Sequence, residues 1–117
     1  MSSATAFPWP DIGSSDRVPR FDLYRLPGNE GHVVDVQSDH ASGQVATRIV
    51  APLIPVAELD ALISDLNPVV AIDGSDHAFL AQSLATLTRA ELGAPVANLD
   101  RHHDAFVRAL DIALTGF

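Results

Sequence analysis

The sequence predicts an α+β domain, with strands first and one long helix last. Three observations carry this: short runs of alternating apolar and polar residues between Arg20 and Leu92, an Asp73-Gly74 dipeptide between two such runs, and a 3.6-residue apolar period from Asp100 to Phe117. At 117 residues the chain is long enough to bury one core without disulfide or metal staples.

The first strand is expected over Arg20–Leu26, where Phe21, Leu23 and Tyr24 alternate with charged residues before Pro27-Gly28 turns the chain. Val33–Ser38 reads as the second strand, with Val34, Val36 and Ser38 on one side and Val33, Asp35 and Gln37 on the other. After a connection over Asp39–Gly43, Val45–Ala51 returns as a third strand ended by Pro52, completing an antiparallel meander. Pro55–Leu66 has Leu59, Leu62, Ile63 and Leu66 at helical spacing, but Pro68 closes it early, so a short helix and an irregular arm both fit. Asn67–Ile72 is a further strand, and Asp76–Gln82 continues past the Asp73-Gly74 turn. Leu84–Leu92 reads as a strand because threonines alternate with leucines, although alanines dilute the pattern.

In the final helix Phe106, Ala109, Leu110, Ala113, Leu114 and Phe117 fall in one core-facing stripe. Asp104, Arg108, Asp111 and Thr115 share the polar face, with Asp104 and Arg108 placed as an i, i+4 ion pair and Asp100 as the N-cap. Ala105, Ile112 and Gly116 add a weaker apolar flank, which suggests a second contact surface.

Composition narrows the function. The net charge is -8, and the basic side chains are seven arginines with no lysine, a balance that opposes non-specific nucleic-acid binding and suits a protein partner. The absence of cysteine excludes thiol nucleophiles, disulfides and cysteine metal sites. No apolar run reaches the ~18 residues of a membrane-spanning helix. Residues 1–19 are dominated by Ser, Ala, Pro and Gly and lack the basic and apolar regions of a secretory signal. They read as a disordered N-terminal extension, an expression remnant or a mis-assigned start, with packing of Trp9 onto the domain as the alternative.

Candidate chemistry is sparse. His102 and His103 are adjacent, project ~100° apart on a helix and cannot chelate one ion as i, i+4 ligands do. His32, His40 and His77 lie on separate connections or strand ends, leaving a site assembled through the fold as the alternative to solvated side chains. Most carboxylates sit at turns, caps or on the helix exterior. Asp35, between Val34 and Val36, is read as an outward strand residue, with an inward or interface carboxylate as the alternative. No nucleophile elbow, phosphate loop or zinc motif occurs.

Taken in order, Val34-Asp35-Val36-Gln37-Ser38-Asp39, Arg48-Ile49-Val50-Ala51-Pro52-Leu53, Asn67-Pro68-Val69-Val70, Leu92-Gly93 and Val96-Ala97-Asn98-Leu99 resemble the CcdB family of bacterial toxins. The resemblance runs from Arg20 to Phe117, placing a CcdB-like toxin domain at 20–117 and the family's start close to Pro19, so that a non-standard start codon at Val18 would account for the extension. It implies an SH3-like antiparallel β-sheet or barrel core with a C-terminal α-helix, a symmetric homodimer and a cytoplasmic protein with neither cofactor nor catalysis of its own. It further implies poisoning of DNA gyrase through its A subunit, by trapping the gyrase–DNA cleavage complex, and neutralisation by a cognate CcdA-like antitoxin. The gyrase-binding residues carried over are Thr115, Gly116 and Phe117. Thr115 stands where a plasmid-borne member of the family has Trp, removing a ring able to stack on a partner arginine for ~0.5–2 kcal/mol. Antitoxin tails of the family tend to be acidic, so the partner of so acidic a chain is expected to carry more basic residues or to bind through apolar contacts. Two other readings are an RNA-cleaving toxin, since the related MazF toxins share the core fold, and a non-toxic CcdB-like binding protein.

Overall fold

In the computed structural model the described residues are 20–27, 31–37 and 46–116. The expectations for the N-terminal extension and Trp9, for the connection over Asp39–Gly43 with His40, and for Phe117 lie outside the described residues. Strand β1 (Asp22–Arg25) pairs antiparallel with β2 (His32–Asp35), and β2 pairs antiparallel with β3 (Thr47–Pro55), so the expected meander forms.

Pro52 does not end the third strand. It lies within β3, opposite Val33 of β2. The other edge of β3 is shared by two partners, β6 (Ala85–Thr88) opposite Thr47–Val50 and β5 (Ser75–Phe79) opposite Leu53–Pro55. Pro52 falls between these two ladders, where a missing N–H costs no ladder bond, and its carbonyl accepts from Leu80 N–H at 3.0 Å. The hairpin from β4 (Val69–Ile72) to β5 turns at Asp73 (φ 52°) and Gly74 (φ 81°), the doubly left-handed geometry that an Asp-Gly pair favours. The short β7 (Ala97–Asn98) closes on β1. Among the described residues this gives one curled antiparallel sheet in the order β4-β5-β3-β2-β1-β7, with β6 beside β3, and a C-terminal helix. That is the expected α+β class.

One open alternative is decided and one strand is shorter than the sequence reading. Pro55–Leu66 is an arm with one 3-10 turn at Val56–Glu58, tied down by Asn67, whose Oδ1 accepts Ile63 N–H and whose Nδ2 donates to Phe79 O and Gln82 Oε1. The strand expected over Leu84–Leu92 stops at Thr88, and Arg89–Leu92 forms a single helical turn, α1. Thr88 Oγ1 accepts Glu91 N–H at 3.1 Å while Glu91 Oε1 accepts Thr88 N–H at 2.8 Å. This reciprocal capping box satisfies two donors at once, and a Thr-x-x-Glu pattern outweighed the weak alternation.

Both faces of the sheet are covered. Phe21, Leu23, Val34, Val36, Leu53 and Phe79 contribute to the main core, while Tyr24, Val33, Val50 and Leu92 form a smaller cluster joined by Leu26 and Leu87. Alternation along β2 therefore separates two interiors, not an inside from an outside, and the outward reading of Asp35 is corrected on this ground.

Asp35 and Arg48 are both 0% exposed. Arg48 Nε donates to Asp35 Oδ2 at 2.6 Å and Nη2 to Oδ1 at 3.0 Å, a forked pair across β2 and β3. Asp35 Oδ1 also accepts Gln37 N–H at 3.0 Å, and Gln37 Oε1 accepts Ile49 N–H at 3.0 Å. The side chains thus extend the β2–β3 connection beyond the end of β2. Arg48 Nη1 is buried without a partner, so desolvation of the guanidinium is only partly offset.

Asp35→Ala, which strands the buried guanidinium, is expected to destabilise the chain by about 3–5 kcal/mol, read as a lower urea midpoint. The Asp35→Leu/Arg48→Met double variant should recover most of that loss; a double variant as unstable as the single one would show that the charge left behind is not the cause.

Candidate functional site

The C-terminal helix, α2, spans His103–Thr115 and follows a 3-10 turn at Asp100–His102. Asp100 is not its N-cap. The position before α2 is His102, and Asp100 lies inside the 3-10 turn, where its N–H donates to Asn98 Oδ1 at 2.9 Å. Asn98 Nδ2 donates to Asp22 Oδ1 and Arg20 O, so this side chain joins the helix entry to β1.

An aromatic stack anchors the first half of α2. Phe106 lies face to face with Phe79, ring centroids 4.2 Å apart and planes at 16°, and Phe21 meets Phe106 at 5.3 Å. Phe21 takes φ 68°, a left-handed backbone that is rare for a bulky side chain and costs on the order of 1–3 kcal/mol. It persists because Phe21 N–H donates to Asp35 O at 2.7 Å, Phe21 O accepts from Leu99 N–H at 2.8 Å, and the ring is fully buried. Burying three phenylalanines outweighs the strain, since removing one buried Phe side chain costs about 3–5 kcal/mol.

Beyond Leu110 the helix leaves the core. Phe106, Ala109 and Leu110 are buried as expected, but Ala113 is exposed and Leu114 is 68% exposed, so the predicted stripe is core-facing only in its first half. The polar face is also rearranged: Arg108 Nη2 reaches Asp65 of the arm at 3.3 Å, and Asp104 pairs with His103 Nδ1 at 3.2 Å in place of the expected Asp104–Arg108 pair.

Thr115 and Gly116 lie at this projecting end, both exposed. Thr115 Oγ1 donates back to Asp111 O at 2.6 Å, so its hydroxyl is spent within the helix. Gly116 has φ 82° and ψ 14°, and its N–H closes the last turn on Ile112 O at 3.0 Å. The left-handed φ favours glycine at this cap; a Cβ there would meet nothing within 4 Å, so backbone conformation and not crowding selects it. The helix dipole leaves this end partially negative. Phe117, the third carried-over residue, lies outside the described residues.

The histidines are placed differently from the linear reading. Register across β2, β3 and β5 brings His32 and His77 edge to face at 5.7 Å, a proximity their separation in sequence hid. Burial, with the Arg25 charge and His77 beside it, holds His32 below the usual histidine range. Burial and the Arg101 charge lower His102 similarly, its ring lying 5.8 Å from Phe106. Among the described residues no group of three or more His, Asp or Glu converges as metal ligands would. Near the buried ion pair, burial and the Asp22 and Asp35 charges push the Tyr24 hydroxyl up to about 12 against Arg48 and Arg89. Tyr24 therefore keeps its proton at neutral pH.

A curled antiparallel sheet carrying a C-terminal helix that is anchored at its start and free at its end defines the class of this domain. The chain belongs to the CcdB family: the family described as CcdB protein matches residues 20–116. No curated protein sequence matches the chain significantly. Among solved structures the fold is similar to an endoribonuclease from Mycobacterial species (16% identity, TM-score 0.68, covering 84% of this chain and 91% of that one). It is also similar to an endoribonuclease in complex with its cognate antitoxin from Mycobacterial species (18% identity, TM-score 0.66, 83% and 95% covered). A third is the Mycobacterium tuberculosis toxin MazF-mt6 (12% identity, TM-score 0.64, 79% and 94% covered). At these identities the likeness speaks for the fold. No helix among the described residues is long and apolar enough to cross a membrane.

Two expectations follow. His32 and His102 have folded pKa values below their unfolded ones, so the stability they contribute is full above the ordinary histidine range and is lost as pH falls through the folded values. Melting temperature should drop between neutral pH and mildly acidic pH, and the drop should shrink in His32→Gln/His102→Gln. At the helix end, Gly116→Val forces a β-branched side chain into the left-handed region and should fray the last turn, seen as faster amide exchange at Thr115 and Gly116, whereas Gly116→Asn should be tolerated.

Proposed function

We propose that this chain is the toxin of a CcdA/CcdB-type toxin–antitoxin system, acting by binding the DNA gyrase A subunit and trapping the gyrase–DNA cleavage complex. The observation that carries the reading is the last turn of α2, where Leu114, Thr115 and Gly116 stand clear of a core that holds the same helix firmly through Phe106. Membership of the CcdB family supports this reading of the target, and an exposed ending with a partial negative charge suits a cationic, arginine-bearing surface. Thr115, Gly116 and Phe117 are the contact residues in this reading. It further takes the working form to be a symmetric homodimer in the cytoplasm, neutralised by a cognate antitoxin; that one structural neighbour is described in complex with its cognate antitoxin supports such a partner. The domain is taken to be residues 20–117, with 1–19 as an extension.

Binding without catalysis is favoured by the state of the polar groups. Asp35 is committed to Arg48 and Tyr24 keeps its proton, so neither is poised as a general base. Similarity to endoribonucleases supports RNA cleavage as the second reading, but a net charge of -8 opposes an extended polyanionic substrate.

The test uses purified gyrase, supercoiled DNA and the full chain. Linear DNA released on denaturing the complex is expected, with its yield falling at least tenfold when Gly116 and Phe117 are deleted and the circular dichroism spectrum unchanged. Thr115→Trp should strengthen trapping, since stacking on a guanidinium adds ~0.5–2 kcal/mol per contact. Undiminished trapping by the truncated chain would reject the helix ending as the contact, and RNA cleavage with no trapping would favour the second reading.

A further inference from the structure

A cavity of about 360 Å3 opens between β1, the β4–β5 turn and the segment that leads into α2. The buried Leu23, Ile72 and Leu99 back it, and the apolar side chains exposed at it are Ala71, Val96 and Ala97. Among the described residues its rim carries Arg25, His32 and Arg101 against a single carboxylate, Asp73. In a chain of net charge -8 with seven basic side chains, two arginines and a histidine at one small opening are a local reversal of sign.

The existing contacts at the rim leave it open to a ligand. Arg25 and Asp73 approach to 3.7 Å with side chains 54% and 80% exposed, an exposed pair worth little that another carboxylate can replace. Arg101 Nη1 makes a long 3.4 Å contact to Asn98 O, which uses one of the five N–H donors of the guanidinium.

The chemistry selects among anions. Two arginine forks match a carboxylate or a phosphate, while the exposed Ala71, Val96 and Ala97 offer a small apolar contact beside it. A nucleic-acid strand presents many phosphates to the acidic field around the cavity and is disfavoured. A cavity near the lower end of the usual ~300–1,000 Å3 range accommodates one or two side chains. We propose that this cavity receives an extended segment of a partner protein, with an acidic side chain held by Arg25 and Arg101 and an adjacent apolar side chain seated against Ala71 and Ala97. Val96, 57% exposed at the same rim, adds apolar contact alongside.

This surface is separate from the helix ending. Arg101 precedes α2, whose 13 residues span roughly 20 Å at 1.5 Å per residue. The inference is thus independent of whether gyrase is the target, and a partner seated here would contact the domain at the opposite end of the helix.

The test is a nitrogen-15 NMR titration of the full chain with an acetylated, amidated Leu-Glu-Leu-Glu-Leu peptide. Shifts are expected at the amides of Arg25, His32, Ala97 and Arg101, with the Gln-for-Glu peptide binding roughly tenfold more weakly. Arg25→Gln and Arg101→Gln should each weaken the Glu peptide roughly tenfold without altering the melting temperature. Equal binding of the two peptides would overturn the proposal, as would tighter binding of poly-dT at the same amides or inorganic phosphate binding as tightly as the peptide. If a variant fails to fold, the Leu-Lys-Leu-Lys-Leu peptide decides on the unaltered chain: no shift at these amides supports the proposal, and binding comparable to the Glu peptide overturns it.

Discussion

The buried pair of Asp35 and Arg48 is the constraint on which the rest of the domain depends. Both groups are taken wholly out of water, which is costly for each alone and tolerable together only in a forked, hydrogen-bonded geometry. That requirement sets β2 against β3 at one register. The main chain of Asp35 carries the consequence onward, because its carbonyl accepts the Phe21 N–H and so fixes the left-handed entry to β1. Phe21 then meets Phe106, and Phe106 stacks on Phe79. A charge pair on one face of the sheet is thereby linked, through a single residue's backbone, to the docking of the helix on the other face.

The helix is bound unequally along its length. Its first half is held by aromatic packing worth several kcal/mol per ring, with an exposed Arg108–Asp65 contact of small worth beside it, and the described residues beyond Leu110 are not buried. Such an element fixes the direction of its last turn through the anchored half, yet leaves Leu114 and Thr115 outside the core. Thr115 and Gly116 confirm the economy of this end: the hydroxyl and the terminal amide both satisfy helix carbonyls, Asp111 and Ile112. What stands exposed there is apolar surface from Leu114.

Legibility from the sequence followed the strength of local signals. The β2–β3 meander, the Asp73-Gly74 hairpin and the amphipathic helix were readable because two-residue and 3.6-residue periods and a left-handed turn are local properties. The Thr88-x-x-Glu91 capping box was also local and was obscured by the threonine-leucine alternation around it. Asp35 was misread for a different reason. Alternation states which residues share a face, and only the fold reveals that both faces of this sheet are covered.

The sequence by itself determined the α+β class, the order of strands and helix, and the identity of the helix ending, because periodicity, turn chemistry and end-capping act over a few residues. Only the tertiary structure decided where Arg48 finds its counter-charge, how Pro52 sits harmlessly inside a strand between two partner ladders, and at which residue the helix leaves the core. Those outcomes depend on surfaces brought together from distant parts of the chain. The cavity framed by Arg25, His32 and Arg101 is of the same kind, since strand register sets Arg25 opposite His32 and the turn before α2 brings Arg101 to them from a distant part of the chain.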